Sequence, residues 1–171
     1  KVPKEQLEAL LKPENKKSLA STLNAHVVPG KAVKSERFVK AKGLSLRMNN
    51  NSVLAFNDTG GLSGAGTIVL GNTGSSNRIA LDGNGITTFA AGTTIRGENG
   101  TIGAGAFAGG AQALVNNGTI SADVAGGTIN IAGSAVTNNG TLSALNGGTL
   151  LLSSNVSGGA TSQIVAGAGS T

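Results

Sequence analysis

The sequence predicts an all-β chain: a parallel β-helix (β-solenoid) of about six coils over residues 49–171, behind a short, basic, partly helical N-terminal cap or extension over residues 1–48. Three observations carry this expectation. A block of 21 to 22 residues repeats near the C-terminus, and a fixed period of about 20 residues is the mark of coils that stack on one another. Of the 28 glycines, 26 follow residue 48, many of them in Asn-Gly, Asp-Gly and Gly-Gly corners that accept the backbone angles of tight turns. Aromatic residues make up 2% of the chain, so the apolar set is mainly Ala, Val, Ile and Leu and fills only a narrow core.

Charge separates the two parts. Eleven of the 13 Lys and Arg residues lie in residues 1–48 against four Glu, a net +7, whereas the remaining residues hold Arg78 and Arg96 against Asp58, Asp82, Glu98 and Asp123, a net −2. All three prolines and His26 also fall in the first part. Residues 3–12 read as a short helix, with Pro3 at a tolerated first-turn position and Leu7, Leu10 and Leu11 at helical spacing. Pro13 interrupts it, a second helix carries Leu19 and Leu23, and Pro29-Gly30 ends that segment. Alternating stretches at Arg37 to Lys42 and Leu44 to Met48 read as edge strands within the cap or connector.

Beyond the boundary, the clearest repeat starts at Asn116 with NNGTISADVAGGTINIAGSAVT and returns at Asn138 with NNGTLSALNGGTLLLSSNVSG. Each block holds two Gly-Thr-apolar triplets, at Gly118 and Gly127 in the first and at Gly140 and Gly148 in the second, and looser copies stand at Gly66 and Gly100. Helical arrays are excluded, because an interior glycine costs a helix roughly 1 kcal/mol and glycine is dense here. The apolar runs are short and alternating, as strands of three to five residues require: Ser52 to Phe56, Thr67 to Leu70, Arg78 to Leu81, Thr128 to Ile131 and Thr149 to Leu152. Asn-Gly is also a hairpin signal, so an antiparallel meander is the competing architecture, but its two-residue turns would recur at shorter intervals. Stacking at about 4.8 Å per coil gives a rod of roughly 28 Å, with Val, Ile and Leu piled inside and Thr, Ser and Asn in outward or corner ladders. Ile129, Ile131, Leu150 and Leu152 are assigned to the interior, and Thr128 and Thr149 to the outside. The basic segment is expected to cover the first coil edge, and the mid-pattern finish at Ala166 to Thr171 suggests a fragment or a subunit that self-associates through coil ends.

The blocks NNGTISADVAGGTINIAG and NNGTLSALNGGTLLLSS, followed by SSNVSGGATSQIVAGAGST, resemble the glycine-rich repeats of large bacterial exoproteins of the filamentous haemagglutinin type, exported by two-partner secretion, and related autotransporter passengers. The resemblance covers residues 49–171, while residues 1–48 do not match that family's β-rich N-terminal secretion domain. It implies a right-handed β-helical shaft, secreted or on the outer surface of a bacterium, serving adhesion, biofilm cohesion or toxin delivery.

The candidate chemistry is sparse. Zero cysteine removes disulfides, zinc ribbons and thiol catalysis. No apolar run approaches the roughly 18 residues of a membrane span. Paired carboxylates for glycoside cleavage sit about 5 to 9 Å apart, a distance that only Asp82 and Glu98 approach, and Arg78, Asp82, Arg96 and Glu98 read more simply as an exposed charge ladder on neighbouring coils. His26 has no Ser or Cys partner in a catalytic arrangement. Leu81-Asp82-Gly83-Asn84-Gly85 is a single weak echo of calcium-binding coils, and Gly103 to Gly110 lacks the Lys-Ser/Thr of a phosphate loop and reads as a floppy insertion or corner. No catalytic residue, metal site or cofactor is therefore expected. The basic residues Lys31, Lys34, Arg37, Lys40 and Lys42 are the candidates for an anionic surface, and with only Phe38 nearby to stack on bases, nucleic acid is not an expected partner. Asn50, Asn57, Asn99, Asn117, Asn139 and Asn155 head glycosylation sequons. Thr87-Thr88 and Thr93-Thr94 prompt a threonine-ladder reading with ice as a ligand, against which their spacing is irregular. The function expected is a structural or adhesive shaft whose partner is another protein or a polysaccharide at a cell surface. The alternatives are a self-assembling extracellular fibre subunit and a carbohydrate-active enzyme on the same fold.

Overall fold

The computed structural model describes residues 44–57, 59–71, 77–103 and 105–171. The helices expected over residues 3–12 and onward to Pro29 lie outside these residues, as do His26, Asp58 and the five basic candidates from Lys31 to Lys42. Among the described residues there is no helix, and sixteen short strands follow one another around a three-sided coil. The first coil is β1 (Leu44–Met48), β2 (Val53–Asn57) and β3 (Gly60–Leu62). The second is β4 (Gly66–Leu70), β5 (Asn77–Asp82) and β6 (Ile86–Phe89). The third is β7 (Thr93–Gly97), β8 (Gly100–Gly103) and β9 (Ala113–Asn116). The fourth is β10 (Thr119–Ala122), β11 (Thr128–Ala132) and β12 (Val136–Asn138). The fifth is β13 (Thr141–Ala144), β14 (Thr149–Leu152) and β15 (Val156–Gly158), and β16 (Gln163–Ala166) opens a sixth.

Every third strand pairs, always in parallel. The result is one sheet in the order β1-β4-β7-β10-β13-β16 and two five-stranded sheets, β14-β11-β8-β5-β2 and β15-β12-β9-β6-β3. This rejects the meander, whose neighbouring strands would be antiparallel. Five coil-to-coil steps separate β1 from β16, a rise of about 24 Å at the usual strand spacing. The stretch Leu44–Met48, placed with the cap by the sequence, pairs along its whole length with β4 and is the edge strand of the first sheet.

The core is built from columns of equivalent residues. Leu46, Ile68, Ile95, Ile120 and Leu142 follow one another up the first sheet, and Leu54, Ile79, Ile102 and Ile131 up the second, all buried. Alternation explains the pattern, since successive side chains of a strand point to opposite faces and only one set reaches the narrow interior. The register is Ile129 on Leu150 and Ile131 on Leu152, with Thr128 on Thr149. Ile129 and Ile131 are fully buried, and Leu150 and Leu152 pack half-buried against the same core. Phe56 and Phe89 meet edge to face, with ring centroids 6.0 Å apart, where the second sheet turns into the third.

Asparagine departs from the expected outward or corner placement. Asn116 and Asn138 are completely buried in an inward column continuing that of Leu62 and Phe89. An amide is tolerated there because the corner satisfies it: Asn116 Nδ2 donates to Asn138 Oδ1 at 2.8 Å and to the Gly118 carbonyl at 3.2 Å, and Gly118 N–H donates to Asn116 Oδ1. Asn138 continues the ladder by donating to Ser162 Oγ at 2.9 Å. The following residues form the expected corner ladder, with Asn139 Nδ2 donating to Asn117 Oδ1 at 3.0 Å. Glycine is required just after this pair, since a Cβ at Gly140 would lie 2.1 Å from the Gly118 carbonyl oxygen.

Candidate functional site

Three charged residues of the solenoid, Asp82, Arg96 and Asp123, have partners within the fold. Asp82, expected on an exposed ladder, is 2% exposed at the end of β5, where its Oδ1 accepts N–H groups from Ala106, Phe107 and Ala108 at 2.8 to 3.1 Å. The reason is the insertion between β8 and β9: its glycine-rich backbone has no ladder partner of its own and folds its donors onto the carboxylate below. The segment expected to be floppy is thus tied down at three amides, and Gly105 is needed because a Cβ there would approach Asp82 Oδ1 to 2.5 Å. Arg96 lies on the first sheet, in the column of Val69 and Ser121, and bonds Asp123 Oδ2 at 2.6 Å through both Nε and Nη2. Arg78 lies on the second sheet between Val53 and Thr101. The ladder of Arg78, Asp82, Arg96 and Glu98 does not form, because Arg78 and Asp82 lie on the second sheet, Arg96 on the first and Glu98 at the corner between them.

Nor does the carboxylate pair form. Glu98 precedes β8, whose first residue Gly100 is in register with Asn77 at the start of β5, whereas Asp82 stands at the far end of β5. Among the described residues no three His, Cys, Asp or Glu side chains come together as a metal-ligating group.

Of the sequon asparagines, Asn50, Asn57 and Asn155 are exposed, while Asn99, Asn117 and Asn139 are half-buried with their amides in use. Asn99 Oδ1, for example, accepts the Thr128 N–H at 3.0 Å. Thr87 and Thr93 are buried and cannot form a ladder with Thr88 and Thr94. A different threonine column exists: Thr67, Thr94, Thr119 and Thr141 stack outward on the first sheet between Ser45 and Gln163. Its signal was present in the triplets at Gly66, Gly118 and Gly140, all of which lead strands of the first sheet.

Among the described residues a cavity of about 900 Å³ lies around β3, and no sequence motif pointed to it. It exists because β3 is Gly-Gly-Leu. In the outward column of the third sheet, Gly61 stands where the next coils carry Thr88, Val115, Thr137 and Ser157, so the column stops one coil short. Gly61 has no alternative: at φ +143° a Cβ would lie 1.9 Å from the Thr88 carbonyl oxygen. Gly60 is the opposite case, since a Cβ there meets nothing within 4 Å. Besides Gly60 and Gly61 the cavity is lined by Phe56, Asn57, Thr59, Leu62 and Ser63, and by Thr88, Ala90, Ala91 and Asn117 further along the rod. The described side chains that line it are uncharged, and Asp58, between Asn57 and Thr59 in the sequence, lies outside the described residues.

The fold defines a three-sided β-solenoid repeat protein. No protein-family model matches the chain, and neither a curated protein nor a solved structure matches it.

Proposed function

We propose that the chain is a non-catalytic structural or adhesive rod, displayed outside a bacterial cell, that engages another protein or a polysaccharide at a cell surface. The observation that carries the reading is the uninterrupted parallel stacking of the three sheets, which makes a stiff scaffold with repeating hydroxyl and amide columns on its outside. The commitment of Asp82 to a backbone loop and of Asp123 to Arg96 supports the absence of catalysis, because a general acid and base must face a common substrate. Individual hydroxyl and amide contacts are weak in water, so adhesion arises from many contacts engaged together. The test compares one copy with many. Beads carrying a dense coat of the chain should hold to polysaccharide-coated surfaces about a hundredfold or more above the affinity of the free chain. Depolymerisation of any such polysaccharide, lost on changing Glu98 or Asp123 alone, would replace the rod with an enzyme.

A further inference from the structure

We propose that Asn84 is a site of spontaneous covalent modification, at which the backbone nitrogen of Gly85 closes on the Asn84 side-chain amide and converts the residue to aspartate and isoaspartate. The sequence holds five Asn-Gly pairs, at Asn84, Asn99, Asn117, Asn139 and Asn146, and in each the missing Cβ of glycine leaves the approach to the preceding amide open. The fold separates them by what holds the glycine nitrogen, which is the attacking atom. Gly118 N–H donates to Asn116 Oδ1 at 3.2 Å, Gly140 N–H to the Asn116 carbonyl at 3.1 Å and Gly147 N–H to Ser170 Oγ at 2.9 Å. Asn146 is exposed, but it stands at φ +54° in a turn closed by the Gly148 N–H on the Leu145 carbonyl. Gly100 is buried in register between Asn77 and Ile129, and Asn99 Oδ1 accepts the Thr128 N–H. Gly85 differs. Its carbonyl accepts the Ala113 N–H at 3.1 Å and the nearby Gly83 N–H donates to the Gly109 carbonyl, yet the Gly85 N–H donates no hydrogen bond among the described residues. Asn84 itself is exposed, and its Oδ1 accepts the Ala111 N–H at 3.1 Å. That donor stands at the oxygen on which negative charge builds as nitrogen adds to Cγ, the arrangement of an oxyanion hole.

The step balances with water alone. Gly85 N gives up its proton and bonds to Asn84 Cγ, the Cγ–Nδ2 bond breaks, and the side-chain nitrogen leaves as ammonia with that proton. Water then opens the five-membered imide. Cleavage between the nitrogen and Cγ leaves aspartate, and cleavage between the nitrogen and the main-chain carbonyl leaves isoaspartate, with the main chain routed through Cβ. Either product adds a negative charge two residues from buried Asp82. Isoaspartate also withdraws Oδ1 from Ala111 and so releases the end of the insertion that Asp82 does not hold.

The experiment ages the full chain at neutral pH, folded and in parallel unfolded in urea, and follows the five pairs by tryptic mapping with tandem mass spectrometry. Trypsin separates residues 79–96, in which Asn84 is the lone asparagine, from residues 97–171, which contain the other four pairs. The unfolded chain gives each pair its own reference rate. Folding is expected to slow Asn99, Asn117, Asn139 and Asn146 by about tenfold or more, the effect on a barrier of a hydrogen bond broken before attack, and Asn84 by less than about threefold. Gly85→Ala, at a position outside the positive-φ region, should slow the folded reaction at Asn84 by about tenfold or more by crowding the nitrogen. In the aged chain the Ala111 amide should lose protection from hydrogen exchange while those of residues 106–108, held by Asp82, keep theirs. Four outcomes overturn the proposal: folding protects Asn84 as strongly as the other four pairs, one of those four converts faster than Asn84 in the folded chain, Gly85→Ala leaves the rate at Asn84 unchanged, or Ala111 keeps full protection once Asn84 has converted.

Discussion

Asp82 shows how a single residue can be read wrongly from sequence for a physical reason. Charged residues sparsely placed along a strand are usually solvated, so an outward position was the reasonable expectation. What the sequence did not reveal is that the glycine-rich insertion twenty-odd residues later has unpaired backbone donors that need an acceptor. Removing that acceptor should free the loop: Asp82→Ala is expected to destabilise the chain by on the order of 2–3 kcal/mol, since hydrogen bonds to a charged group are the strong ones. Hydrogen exchange offers a local readout, in which amides of residues 106–108 should lose protection while those of β11 keep theirs. Unchanged protection at residues 106–108 would mean that the carboxylate does not hold the loop. A second contrast sits at Ile129 and Thr128. Ile129→Asp buries an unpaired charge at a fully buried position and should prevent cooperative folding, whereas Thr128→Asp on the exposed face should cost about 0.5 kcal/mol or less, both read by urea unfolding.

At the scale of the coil, the period was legible only where the chain is regular. Paired residues advance by 22 from Leu44 to Gly66, then 27 to Thr93, 25 from Thr94 to Thr119, and 22 at each of the last two steps to Thr141 and Gln163. The fourth and fifth coils therefore display the repeat openly, whereas longer corners in the second and third displace their triplets from the pattern. The triplet at Gly100 illustrates this: it falls in β8 two residues out of step with that at Gly127, because Ile102 pairs with Ile131 and not with Ile129. Strand type, parallel stacking and interior register were within reach of alternation and spacing. The recess at β3 was not, because it arises from side chains missing in one coil relative to its neighbours, a comparison that needs the register first. The doubled asparagines carry a further consequence, since in Asn-Asn-Gly the first residue points in and the second out. Asn138→Ala removes donors to Ser162 Oγ and the carbonyls of Gly140 and Gln163 together with the acceptor for Asn116, and should cost about 2–4 kcal/mol. By comparison, Asn139→Ala, which removes one bond at a half-exposed corner, should cost about 1 kcal/mol or less. Equal costs measured by denaturant unfolding would contradict an energetic division between inner and outer ladders.

For the whole molecule, the polarity of charge is the property with the widest reach. Asp123 is the last charged side chain in the sequence, so the coils beyond it present only hydroxyl, amide and apolar groups, while residues 1–48 carry +7. These two compositions differ in the physics by which each would attract a surface. A neutral hydroxyl-and-amide face gains little from long-range fields and is nearly insensitive to salt. A basic segment acts at a distance, and its pull fades over a Debye length of about 8 to 10 Å at physiological ionic strength. If Lys31, Lys34, Arg37, Lys40 and Lys42 form an anion-binding region, replacing all five with Gln should abolish most of the binding to dextran sulfate at low salt. The same replacement should flatten the dependence of the remaining affinity on salt. Calorimetric titrations of dextran sulfate against the unaltered chain and the five-fold variant at about 50 and 300 mM salt, spanning the screening range, isolate the contribution of these charges. Undiminished binding of the sulfated polymer by the five-fold variant, at either salt concentration, would mean that these basic residues do not form an anion-binding region, whatever net charge the segment carries.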